Sequence, residues 1–199
     1  MDPDVQRELQ LLASTDAGQR TAALARLVAL GGRATDDLIA ALAASPAAVR
    51  PLLAQALAEI ADPRSAATLA QLATDADPQV RGRAAQGLAA LRDPRAIEAL
   101  ARTINELPDL LHHPHTVATS TLTAQGAAAL PAMLPLLGSQ ELATRTRAWL
   151  VWRSVVEKLP GAGAWDALWR QMGSYAPDAP EPQRDAAVRA WEAWLAARP

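Results

Sequence analysis

The chain has 199 residues, half of them hydrophobic and 20% charged, with a net charge of -2 and a pI near 5.9. That balance excludes wholesale disorder and argues against a dedicated nucleic-acid or membrane-surface binder. With no cysteine, disulfide scaffolds, thiolate metal sites and thiol nucleophiles are excluded as well.

Ala and Leu dominate the apolar half, Phe is absent and Tyr occurs once, a composition that favours helices over strands. The opening Met1-Asp2-Pro3-Asp4 is acidic where a secretory peptide would be basic. The longest apolar run, Ala127 to Leu137, contains Pro131 and Pro135 and is too short to span a membrane. A cytoplasmic protein is therefore expected.

In chain order, the first feature is Leu9 and Leu12, standing 11 and 8 positions before Arg20. Arg20, Arg50 and Arg81 follow at spacings of 30 and 31, and each heads the same pattern. Seven positions on stand Leu27, Leu57 and Leu88; ten on stand Leu30, Ile60 and Leu91; nineteen on stand Ile39, Leu69 and Leu100. Internal repetition at this period is the signature of stacked helix pairs, none of which can bury its apolar face alone. Ser45-Pro46 and Asp77-Pro78 read as N-cap and first turn of the leading helix in their units. Pro51 lies five residues after Pro46, so a bend or a late helix start is expected between Ala47 and Leu52. Asp62-Pro63 and Asp93-Pro94 stop one helix and cap the next.

Beyond Asn105 the repeats degenerate. Leu134 and Leu137 precede Arg145 by 11 and 8, which places His115 in the arginine column and Leu122 in the leucine column. The step from Arg81 to His115 is 34 residues, which implies an insertion at 107–114. The next arginine, Arg184, comes 39 residues after Arg145, with the loop Gly173 to Pro180 between them and Val188 and Trp191 at +4 and +7.

The residues Asp77-Pro78-Gln79-Val80-Arg81, Ala84-Ala85-Gln86-Gly87-Leu88 and Asp93-Pro94-Arg95-Ala96-Ile97-Glu98-Ala99-Leu100 resemble the HEAT-like repeats of the phycobilin-lyase group and of many bacterial scaffold proteins. The resemblance implies an all-α, right-handed α-solenoid of about six helix pairs. It would be a single domain over 1–199, with its clearest repeats at 14–106, degenerate ones at 115–160 and a Trp-rich cap at 161–199. First helices would lie on the convex side and second helices on the concave side. The pairs Asp16–Arg20, Asp77–Arg81 and Glu141–Arg145 would form a ladder between neighbouring units.

Candidate functional residues are few. His112, His113 and His115 are the only histidines, but split by Pro114 and without cysteine they are read as a loop and a helix start. All six tryptophans fall in the last quarter. Trp152 and Trp191 occupy the +7 core column, Trp149 should be partly buried, and Trp165 and Trp169 should pack towards them. The last helix should place Val188, Trp191 and Leu195 on one stripe, with Trp194 at its rim and Arg184, Asp185, Arg189 and Glu192 on polar faces. The register puts Asp37, Ala41, Ala67, Gln71, Glu98, Arg102, Asn105, Ala132 and Leu136 on the concave face, a small-chained surface suited to a docked helix or extended peptide. No nucleophile–base pair, phosphate loop or carboxylate pair emerges, and no cofactor is expected.

The reading is a non-enzymatic scaffold, monomer or weak dimer, that binds another protein through Asp37, Gln71, Glu98, Arg102, Asn105, Leu136 and Trp194. Two alternatives follow from resemblance: a lyase or chaperone acting on a protein-linked tetrapyrrole, and a HEAT-like alkylpurine DNA glycosylase, which would need a basic groove. The repeat register itself predicts that Leu57→Ala and Leu88→Ala each destabilise the fold by roughly 2–5 kcal/mol, read as a lowered unfolding midpoint in chemical denaturation.

Overall fold

The structure is a computed structural model that describes residues 2–108 and 114–198. It is all-α: among the described residues there is no strand, only an isolated bridge between Pro108 and Thr116. The chain falls into two compact units, 1–99 and 100–199. The first contains α1 (Pro3–Leu12), α2 (Ala17–Leu30), α3 (Thr35–Ala44), α4 (Arg50–Ile60), α5 (Ala66–Leu72), α6 (Pro78–Ala90) and the start of α7 (Ala96–Arg102). Here α2, α4 and α6 pack side by side in order, while α1, α3 and α5 each pack on the first helix that follows them. The second unit contains α8 (Val117–Gln125), α9 (Leu130–Leu137), α10 (Leu142–Val156), α11 (Trp165–Gln171) and α12 (Glu181–Ala196). There α10 packs on both α8 and α9, and α12 packs on α9.

The +7 column is the core. Leu27, Leu57, Leu88, Leu122, Trp152 and Trp191 are all fully buried. The +10 column is not: Leu30, Ile60 and Leu91 are half-buried at the helix ends. In the second helices the buried residue is Leu38 rather than Ile39, Met133 rather than Leu134 and, in α1, Glu8 rather than Leu9. The register is set by the arginine that follows, because each of these helices packs on the next first helix. Glu8, Leu38, Leu69, Met133 and Met172 all stand twelve positions before Arg20, Arg50, Arg81, Arg145 and Arg184.

The turn inside each repeat comes in two lengths. Gly31 and Gly126, at φ 58° and 63°, lead straight into a 3-10 turn, and Leu27 to Leu38 and Leu122 to Met133 span 11 positions. Ala61 and Arg92 adopt φ 51° and 56° before their Asp-Pro pairs, and Leu57 to Leu69 and Leu88 to Leu100 span 12. Asp62 then accepts from the Arg64 N–H, and Asp93 from the Arg95 N–H, each at 2.9 Å.

The arginine column grips backbone. Arg20 Nη1 donates to the Ser14 and Thr15 carbonyls at 2.8 and 3.0 Å. Arg81 Nη1 does the same to Asp75 and Ala76 at 2.8 and 2.9 Å, and Arg145 Nη1 to Ser139 and Gln140, both at 2.8 Å. The acids before them have local work: Asp16 and Asp77 cap α2 and α6 by accepting from the Gln19 and Gln79 N–H. Arg50 departs from the pattern, donating to Leu42 O at 3.1 Å and pairing with Asp75. The cause is Pro51, which delays α4 to Arg50, so Ser45 ends α3 and does not cap α4. Asp77, by contrast, is the N-cap of α6.

A ladder between repeats does exist, one loop away from its expected place. Arg33, Arg64 and Arg95 each reach back to the preceding repeat: Arg33 to Asp2 at 2.7 Å, Arg64 to Asp36 and Gly32 O, and Arg95 to Ala66 O at 3.5 Å. Arg64 and Arg95 also fork over Asp62 and Asp93, and hold both carboxyls at about 2. Since those values are depressed, the contribution to folding is complete above the ordinary value of 3.8 and is lost as pH falls through about 2.

Helices α4 and α6 approach closely at Gly87, where a Cβ would lie 2.9 Å from Ala58 Cα and from Leu69 Cδ1. Ala in place of Gly ordinarily gains about 1 kcal/mol in a helix. Gly87→Ala should instead lower the melting midpoint, by roughly 1–3 kcal/mol of stability, since backbone must shift to admit the methyl. Gly138→Ala, whose Cβ would sit 3.6 Å from Pro135 O, is the control and should melt close to the parent.

Candidate functional site

Two surfaces come out of this architecture. The first is the row of second helices. Asp37 on α3 is half-buried and accepts the Asp2 N–H at 2.8 Å. Gln71 on α5 and Glu98 on α7 are exposed, with Ala67 exposed beside Gln71 and Ala41 half-buried on α3. In the second unit, Arg102 is exposed, and Leu136 and Trp194 are half-buried. Asn105 has its amide committed: its Nδ2 donates to Glu141 at 2.9 Å and Thr144 at 2.7 Å, and its Oδ1 accepts from Arg147 at 2.6 Å.

The second surface lies among the tryptophans. Trp191 is fully buried at the centre, edge-on to Trp152 at 5.5 Å and to Trp194 at 5.4 Å, and stacked on Trp165 at 6.0 Å and 14°. Trp152 is buried, Trp149 is half-buried and tilted against Trp165 at 5.6 Å, and Trp194 is half-buried beneath the Arg198 guanidinium at 4.4 Å. The inward stripe of α12 is Arg184, Ala187 and Trp191, with Val188 and Leu195 only half-buried. Arg184 is thus a core-facing residue, not a polar-face one. At 8% exposure its Nη1 donates to Ala179 O at 2.6 Å, five residues back, the nearer of the two carbonyl positions that Arg20, Arg81 and Arg145 clasp.

Tyr175 is the residue that sequence reasoning passed over. After α11 the chain closes a Schellman turn: Gly173 N–H donates to Arg170 O, and Ser174 N–H to Trp169 O at 2.9 Å. Gly173 sits at φ 83°, a conformation that calls for glycine, and packs against Ala187, which lies 3.4 Å from where a Cβ would be. The reversal drives the Tyr175 ring inward, where its hydroxyl donates to Leu137 O at 2.7 Å and answers the last carbonyl of α9. Burial pushes the phenol up to about 12, against the opposing charges of Arg145 and Arg184. Trp169 Nε1 donates to Tyr175 O at 3.0 Å, and Arg145 Nε to Pro177 O at 2.7 Å, so the loop is held at three points. A lone tyrosine inside a Gly- and Pro-rich loop was the only available signal.

Between α10, α11 and this loop lies a cleft of about 290 Å³. Its walls are the rings of Trp149, Trp165, Trp169 and Tyr175, its base Ala176 and Pro177, and its ionisable groups Arg153 and Asp166. A second cavity of about 360 Å³ is lined by Pro114, Ala143, Thr146, Arg147 and half-exposed Leu142. In the first unit, Glu8 is buried between Arg7 at 2.9 Å and Arg26 at 2.8 Å. Burial pushes its carboxyl up, and the two guanidiniums outweigh that and hold it below its ordinary value. His112 and His113 lie outside the described residues, and His115 is half-buried before the Thr116–Thr119 capping box of α8. No group of three or more His, Asp or Glu among the described residues could hold a metal ion. No helix among them is long and apolar enough to cross a membrane.

Residues 35–111, from α3 through α7, match the HEAT repeats family. That segment carries HEAT-like repeats. Among solved structures it is similar to a chain in the complex of CpcE and CpcF of phycocyanin lyase from Nostoc sp. PCC7120, at 22% identity over 94% of this chain and 97% of that one, with a TM-score of 0.43. It is also similar to a designed armadillo repeat protein in complex with the peptide (KR)4, at 20% identity over 97% and 100% of the two chains, with a TM-score of 0.41. An engineered protein matches at 21% identity over 97% and 98%, with a TM-score of 0.42. No curated protein gives a significant match.

The ring geometry separates the two tryptophans of α12. Trp191→Ala should cost roughly 3–5 kcal/mol in chemical denaturation, whereas Trp194→Ala, with one face on Arg198, should cost clearly less. Equal losses would refute the division between core and rim.

Proposed function

We propose that this chain is a protein-binding module without chemistry of its own, which receives an extended or helical segment of another protein along its row of second helices. The observation that carries this reading is the make-up of that row in the first unit. Gln71 and Glu98 stand exposed on successive second helices, flanked by the short side chains of Ala41 and Ala67. Short side chains let a partner backbone approach, and spaced polar groups set its register. The charged groups most strongly perturbed in the first unit, Asp62 and Asp93, are spent on turns rather than aimed into a cavity. Repeat architectures use such rows as extended binding surfaces. Asp37 belongs to this row as a flanking residue, and Arg102, Asn105, Leu136 and Trp194 are proposed as partner contacts of the second unit taken by itself.

A photo-crosslinking amino acid placed at Gln71 or Glu98 should capture a discrete partner in native extract, and Gln71→Arg should abolish that capture. The same group at Glu59, exposed on the first helix α4, should capture none of it. Equal capture from Glu59, or capture unaffected by Gln71→Arg, would sink the reading. A protein-bound visible band on adding a bilin would favour the tetrapyrrole alternative instead.

A further inference from the structure

The aromatic cleft of the second unit is built on α10, α11 and the loop after it, from residues other than those of the first-unit row, and its chemistry is specific. The faces of indole and phenol rings carry negative charge density, which attracts a cation placed over them. This cleft already shows the effect once: the Arg153 guanidinium sits 5.5 Å from the Trp165 ring centre. That charge is balanced internally, since Arg153 Nε is 2.7 Å from Glu157. The other ionisable wall, Asp166, is exposed in the first turn of α11 and makes no hydrogen bond or ion pair with any described residue. Arg153 is thus already engaged by Glu157, and Asp166 is the one carboxylate in the lining of the cleft, beside its aromatic walls. A volume of about 290 Å³ admits one side-chain head group and excludes a folded element.

We infer that this cleft is a receptor for an arginine side chain presented by a partner protein, with the guanidinium stacked against the indole walls and paired to Asp166. Arginine suits the site better than lysine. Its planar, weakly hydrated guanidinium lies flat on an aromatic face and still offers two parallel N–H donors to a carboxylate, whereas an ammonium is a strongly hydrated point charge. The walls are fixed in advance. Trp169 is held by its bond to Tyr175 O, Tyr175 by Leu137 O, and Trp165 by its stack on Trp191, so the ligand orders little on binding. The inference adds a second anchoring point, of defined chemistry, to the protein-binding reading, and its test does not depend on the row carrying Gln71.

The test titrates the full chain, labelled with nitrogen-15, with acetyl-Gly-Arg-Gly-amide and with the corresponding lysine and glutamine peptides, reading the indole N–H resonances. The arginine peptide should move the Trp165 and Trp169 signals saturably, the lysine peptide should bind more weakly, and the glutamine peptide should leave both signals in place. Asp166→Asn, an exposed change that should melt like the parent, should weaken arginine binding by about fivefold. Added salt should weaken binding to the parent and have less effect on the variant. Unmoved Trp165 and Trp169 signals, equal binding of the glutamine or lysine peptide, or undiminished binding to Asp166→Asn would each overturn the assignment. Success here with no capture at Gln71 would leave the cleft standing and remove the row, and the reverse result would remove the cleft alone.

Discussion

An arginine folded back onto the loop before its own helix is the interaction on which this architecture depends. At Arg20, Arg81 and Arg145 one guanidinium nitrogen closes on the carbonyls six and five residues upstream. Those carbonyls lie where the second helix of one repeat has ended and the first helix of the next has not begun, so no helical N–H reaches them. A charged donor serves two of them at once and fixes the length and path of the connection. The constant distance of twelve residues from the inward side chain of the second helix to the following arginine is the consequence. Arg50 shows what happens when the clasp is displaced. Pro51 delays its helix, the guanidinium reaches eight residues back to Leu42 O instead, and its remaining donors pair with Asp75.

The aromatic cluster extends the same column logic with larger side chains. Trp152 and Trp191 occupy the position that leucine holds at 27, 57, 88 and 122, and bury fully as those leucines do. Neither buried Nε1–H has an acceptor among the described residues, a cost of about 1–3 kcal/mol that ring area and edge-on packing must offset. The remaining indoles are only half-buried because they sit at column positions that border the core. That is why one end of the cluster forms a cleft walled by aromatic rings. The Schellman turn and the Tyr175 anchor supply the remaining wall, and both depend on Gly173 adopting a conformation closed to other residues.

What the sequence determined by itself was periodic. The repeat spacing, the +7 column, the capping role of Asp77, the late start of α4 and the division of Trp191 from Trp194 all follow from local rules. Helix period, proline geometry and side-chain oxygen at a helix start act over a few residues, so a single chain displays them. Tertiary structure decided what local rules leave open. The spacing to the following arginine put Leu9, Ile39 and Leu134 inward, eleven positions before it, whereas packing on the next helix turns in the residues at twelve, Glu8, Leu38 and Met133. The ladder was expected at the acids four residues before the arginines, whereas Asp16 and Asp77 satisfy helix N–H groups, Glu141 accepts from Asn105 and Thr144, and the loop arginines at 33, 64 and 95 link the repeats of the first unit. Arg184 and Glu8, charged and assigned outward or passed over, turn inward because carbonyls and guanidiniums from distant positions meet them there. The aromatic cleft was illegible for the same reason: its walls come from α10, α11 and a loop, and only packing brings Trp149 and Tyr175 beside Trp165, Asp166 and Trp169.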